Sequence, residues 1–289
     1  MDELHRDDEP IEEPTEEPRK IWGLAVAILA VLAVAAVLYY FFFMKRPERP
    51  PAAPAAESAL SAEGEKAAAA VPGPEPLGFP AVPLAASDEA VRQFAAAMSV
   101  DPEFAKWLLT KDLLRTFVVS VDNVANGLSP KTHIDFFSPE GGFRVSRTRA
   151  GALVDPAGYA RYAPVVGVVQ SLDATAAARL YRAVKPLLQE AYNELGYPGV
   201  DFDDTLVRAM SELVETPVVD GPILLQQKVL SYGMIDATLE ALSAAQKQLL
   251  RMGPKGVRAV HEKIGQLAAA LGIPASRLPQ SKVYSTVPR

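Results

Sequence analysis

The chain has no cysteine and only three histidines, His5, His133 and His261, among 289 residues. The first absence excludes a disulfide framework, and together they leave no Cys/His set at zinc-ligand spacing, so no metal is expected. A glycine-rich phosphate loop, a dinucleotide fingerprint, a Gly-x-Ser-x-Gly elbow and a Ser-x-x-Lys pair are all missing, so no cofactor is expected and no catalytic residue is indicated by motif. No basic run interleaved with aromatics occurs either, and a reader of nucleic acid needs such a concentrated basic face to neutralise phosphates. Nucleic acid is therefore not an expected partner.

One long hydrophobic run is present. Residues 21–44 are twenty-four consecutive residues without a charge, bracketed by Arg19 and Lys20 before and Lys45 and Arg46 after. At ~1.5 Å rise per residue this crosses a hydrocarbon core of ~30 Å as a single helix that satisfies its own backbone. The lipid bilayer is thus an expected partner through residues 21–44. Nine acidic residues precede the run and bulky Tyr39 to Phe43 close it, which disfavours a cleaved signal. Basic residues near the two ends are balanced, so charge alone leaves orientation open; a short N-terminal tail with a large C-terminal domain favours the domain outside the cytoplasm.

Charge is unevenly spread. Residues 1–86 carry seven Lys/Arg and fourteen Asp/Glu, whereas residues 87–289 carry twenty-two and twenty-one. Residues 1–20 read as an acidic disordered tail, having too little apolar surface to fold. Residues 45–86 are rich in proline and alanine and read as a tether, with a reach between about 35 Å as a coil and ~130 Å as extended polyproline.

Residues 87–273 are long enough for one domain with a full core, and residues 274–289 read as a frayed tail. The pattern is mainly helical. Helices are expected over 87–97, from the Asp101-Pro102 cap, and over 111–126, where Leu113, Leu114, Phe117, Val118, Val121 and Val124 recur at helical spacing before Gly127. Alternation over 143–147 and a turn into 152–154 predict a small β-hairpin, after which Asp155-Pro156 restarts helix. A helix capped by Asp173 is expected to run to Leu195 with a kink or break at Pro186. Short extended segments are expected at 218–219 and 223–229, and two final helices at 237–252 and 254–271. The fold class read from these elements is mainly α: one N-terminal transmembrane helix, a tether, then a multi-helix soluble domain with a small β-hairpin.

Asp201, Asp203 and Glu212 fall at positions one, three and twelve of a calcium loop, but position six is Leu206 where the turn needs glycine, so Asp203 is read as a helix cap. Asp122, Asp135, Asp155, Asp203 and Asp204 are the carboxylates to inspect for acid–base roles, since glycoside hydrolysis needs only a carboxylate pair. Asp155, Tyr159, Arg161 and Tyr162 gather charge, phenol hydroxyls and stacking surface into eight residues and are the candidate binding residues; the same four also suit a cap, two buried rings and a brace.

Residues 117–123 (FVVSVDN), 159–165 (YARYAPV), 180–198 (LYRAVKPLLQEAYNELGYP) and 239–254 (LEALSAAQKQLLRMGP) together resemble the uncharacterised bacterial family known as domain of unknown function 3014. The resemblance implies a bacterial single-pass inner-membrane protein with its domain facing the periplasm, and supplies no activity or site residue. The expected function is a membrane-tethered, non-catalytic interaction or scaffolding module of the cell envelope, its partner an envelope protein or cell-wall component. A tethered glycan hydrolase and a sensor signalling through the acidic tail are the alternatives.

Overall fold

The computed structural model describes residues 77–132, 139, 141–149, 151–229 and 231–286. The acidic tail, the expected span at 21–44 and most of the tether lie outside the described residues, as do His5, His133 and Asp135. Among the described residues no helix is long and apolar enough to cross a membrane.

Helices dominate: α1 (Asp88–Ala95), α2 (Pro102–Trp107), α3 (Leu113–Ala125), α4 (Ala163–Ser171), α5 (Ala174–Glu194), α6 (Phe202–Val214), α7 (Ala237–Glu240), α8 (Ala244–Leu250) and α9 (Gly253–Leu271). An aspartate side chain caps four of them. Asp101, Asp173, Asp201 and Asp236 each accept one or two amides of the first helical turn, and Asp155 does the same for a 3₁₀ helix, Pro156–Tyr162. A carboxylate there satisfies donors that the helix cannot and complements its dipole. The cap of α6 is therefore Asp201, not Asp203 as the sequence suggested. The cap of α3 comes from elsewhere in the chain: Asp88 on α1 accepts from Asp112 N (2.8 Å) and Leu113 N (2.9 Å), which pins the two helices together.

The main core forms where α3 packs along α5 and α6, and α9 packs across α4 and α5. Tyr162, Val168, Leu188, Tyr192, Phe202 and Val257 are among its most enclosed side chains. Pro186 does not break α5, which runs from Ala174 to Glu194 through it. Residues 77–86, assigned to the tether by composition, join this core: Leu84 is buried, and Phe79 lies 5.4 Å from the Phe94 ring.

A second, smaller core lies under a sheet. β1 (Val145–Thr148) and β2 (Gly151–Val154) form the expected hairpin, with Val145 opposite Val154. Two more antiparallel strands extend it, β4 (Leu224–Gln227) and β5 (Tyr232–Met234), in the order β1-β2-β4-β5. β3 (Val218–Asp220) instead pairs in parallel with β6 (Val283–Ser285), so the stretch expected to fray supplies a strand. Tyr284 of β6 donates to Asp236 at 2.6 Å and clamps it further. Val154, Val219, Ile223, Leu225, Leu239 and Leu250 fill the space beneath. The final pair of helices is three, because Ser243 opens a capping box with Gln246 and stops the first at Glu240.

Candidate functional site

The sheet, the 3₁₀ helix Pro156–Tyr162 and α8 enclose an open cleft of about 740 Å³. Asp155, Tyr159, Arg161 and Tyr162 all line it, so the four residues singled out by proximity in sequence do face one space. Their individual roles are visible. Asp155 caps the 3₁₀ helix through Ala157 N (2.9 Å) and pairs with Arg144 at 3.2 Å. Tyr162 is 2 % exposed, and its hydroxyl accepts from Arg161 Nη2 at 3.2 Å. Arg161 also donates to the Gly141 carbonyl at 2.9 Å, and its guanidinium carbon stands 5.0 Å from the Tyr162 ring centroid. Burial raises the Tyr159 hydroxyl above its ordinary pKa. The Tyr159 ring lies so close to Gly253 that a side chain there would start 2.6 Å from it, and Gly253 has φ +73°.

The cleft is basic. Lys131, Arg144, Arg161, Lys228, Lys247 and Arg251 line it against only two carboxylates among the described residues, Asp155 and Glu240. Glu240 is fully engaged: Lys228 donates at 2.8 Å, Met234 N at 2.9 Å, and Lys247 stands at 3.5 Å. The Lys228 hydrogen bond first, then the Met234 amide, hold its carboxyl down at about 2. Nothing in the sequence joined residues 228, 240, 247 and 251 to the run at 155–162. They meet only because β4, β5, α7 and α8 fold back over the hairpin.

The remaining candidate carboxylates among the described residues, Asp122, Asp203 and Asp204, lie elsewhere. Asp203 accepts from Tyr181 at 2.5 Å and from Lys185; burial pushes it up, but these hydrogen bonds outweigh burial and leave it low. Asp204 pairs with Arg277 at 2.9 Å. Asp122 is the exception, because burial raises its carboxyl against the opposing influence of Asn126, Arg208 and Tyr197. One of its oxygens is buried with no hydrogen-bond partner, yet it does not line the cleft. Among the described residues no group of three His, Asp or Glu side chains could hold a metal ion.

A family model described as "Protein of unknown function (DUF3014)" matches residues 113–268. Every cleft-lining residue, from Lys131 to Arg251, falls inside that match. No curated protein and no solved structure matches the chain.

Proposed function

The chain belongs to the DUF3014 family, and on that premise we propose that it is a membrane-tethered, non-catalytic binding module of the bacterial cell envelope whose working surface is the cleft beside the four-stranded sheet. The uncharged run at 21–44 supplies the anchor to the inner membrane, the Pro/Ala-rich segment supplies reach, and the domain faces the periplasm. An envelope protein or cell-wall component is the partner.

The state of the cleft carboxylates carries this reading. Hydrolysis of a glycan by a carboxylate pair needs one carboxyl kept protonated near neutral pH, which requires a raised pKa. Glu240 at about 2 is held in the opposite direction, and Asp155 is tied to Arg144 and a backbone amide. Among the described residues, the one candidate carboxyl that burial raises, Asp122, lies outside the cleft. Positive charge, aromatic rings and engaged carboxylates in one concave surface support binding over bond cleavage.

The test is photo-crosslinking in cells with the full chain, a benzoylphenylalanine replacing Phe143 in the cleft or Leu109, which is exposed and outside it. A discrete adduct from position 143 that position 109 does not give is the expected result. The same set of bulk neighbours from both positions contradicts the proposal.

A further inference from the structure

The ligand class can be read from how the cleft's cations are held. Of the six, Arg144, Lys228 and Lys247 share the two carboxylates, while Arg161 and Arg251 are fixed by neutral acceptors. Arg161 is held by the Gly141 carbonyl and the Tyr162 hydroxyl, and Arg251 by Gln248 Oε1 at 2.7 Å. A guanidinium oriented by neutral partners is ordered in advance and keeps its charge for a ligand. Residues 87–289 as a whole carry twenty-two Lys/Arg and twenty-one Asp/Glu, so this excess is concentrated in the cleft while the rest of the domain is net acidic. Asp135 and Glu140, outside the described residues, would leave the six cations in excess wherever they lie.

Two further features narrow the choice. Phe143 is 43 % exposed and lies 6.3 Å from the Tyr232 ring, which gives the cleft an accessible apolar ring face beside its charges. The Met234 amide, on the strand at the sheet edge, is already donated to Glu240, so β5 does not offer that amide as a ladder position to an incoming extended peptide. Forked cations and ring faces without that backbone position fit a sugar better than a strand.

We propose that the cleft binds an anionic saccharide, a sugar ring bearing a carboxylate or phosphate, with the oxyanion taken by Arg161 and Arg251 and the ring laid against Phe143 and Tyr232. This rests on the cleft being the binding surface. Bidentate donation to an oxyanion suits the planar guanidinium, and carboxylate and phosphate present the same paired oxygens to it.

The experiment titrates the full chain in detergent, by calorimetry, with hyaluronan hexasaccharide (carboxylate), mannose 6-phosphate (phosphate), maltohexaose (rings without charge) and deca-glutamate (charge without rings). Binding of either anionic sugar, weakened roughly tenfold by Arg251→Gln and roughly tenfold by Phe143→Ala, and weakened by added salt, is the expected result. The control Lys106→Gln, outside the cleft, leaves it unchanged. No binding of either anionic sugar, equal binding of maltohexaose, or tighter binding of deca-glutamate overturns the proposal, the last assigning the cleft to acidic peptides. Circular dichroism of each variant separates a lost contact from a lost fold. If the position-143 crosslink succeeds while both anionic sugars fail, the ligand class is wrong and the binding surface stands; if both fail, both readings fall.

Discussion

At Gly253 a methyl group would meet both a strained backbone and a close neighbour. Its φ of +73° is strained for any L side chain, and a Cβ would stand 2.6 Å from the Tyr159 ring. Gly253→Ala should therefore cost about 1–3 kcal/mol and displace the tyrosine that lines the cleft and packs against the second core, which urea denaturation and the near-ultraviolet tyrosine signal will report. His261 gives a pH signature. Its Nδ1 lies 2.8 Å from Ser281 Oγ and its Nε2 lies 3.0 Å from the Leu213 carbonyl, and burial lowers its pKa despite that carbonyl. A folded pKa below the usual 6.5 means the unfolded chain takes up the proton first. This stabilisation is thus complete above pH ~6.5 and falls away as the pH drops from there toward the folded pKa. Thermal midpoints between pH 7.5 and 5 should decline in the wild type and decline less in His261→Gln; parallel profiles would assign the decline to other groups. Lys263 is nearly buried, with its ammonium on the Leu172 carbonyl at the end of α4 at 2.5 Å. Lys263→Met leaves that carbonyl without its cation and should lower stability by about 1–3 kcal/mol in denaturant titrations.

At the level of elements, legibility followed the range of the interaction. The hairpin was readable because alternation and turn are local: Phe143 to Arg147 and Ala152 to Val154 carry their own register. The starts of α2 and α5 were readable because Asp101 and Asp173 lie immediately before their helices. β5 and β6 were not, since each is three residues long and its partner is chosen by tertiary packing; nothing near Val283 announces that it will lie beside Val218. Asp88 capping α3 from another helix is the same kind of event. The break before α8 had a local signal, Ser243 with Gln246 three residues on, that the apolar run around it masked. The candidate site divides likewise, with 155–162 compact in sequence and visible, while Lys228, Glu240, Lys247 and Arg251 converge only through the fold. Since β6 and its flanks hold β3 through Val218 N to the Lys282 carbonyl (2.8 Å) and Thr286 N to the Asp220 carbonyl (3.2 Å), deleting residues 279–289 should lower the denaturation midpoint and speed amide exchange at Val218–Asp220. Unchanged exchange there would mean β3 holds without its partner.

For the whole molecule, composition set the plan: an acidic tail, an uncharged run, a Pro/Ala-rich segment and a nearly neutral remainder whose described part is mainly helical with a small antiparallel sheet. The family match covers the cleft but not the uncharged run at 21–44, so the two halves of the proposal rest on different observations, charge geometry for one and hydropathy for the other. Joining them requires that lipid and domain belong to one working object. The measurement is alkaline carbonate extraction of membranes from cells producing the full chain, alongside a chain lacking residues 21–44, with protease added to spheroplasts. The full chain staying in the pellet, its domain cut from outside, and the shortened chain turning soluble is the predicted result. Recovery of the full chain in the soluble fraction, or a domain protected from the protease while the chain stays in the pellet, contradicts a module tethered in the periplasm.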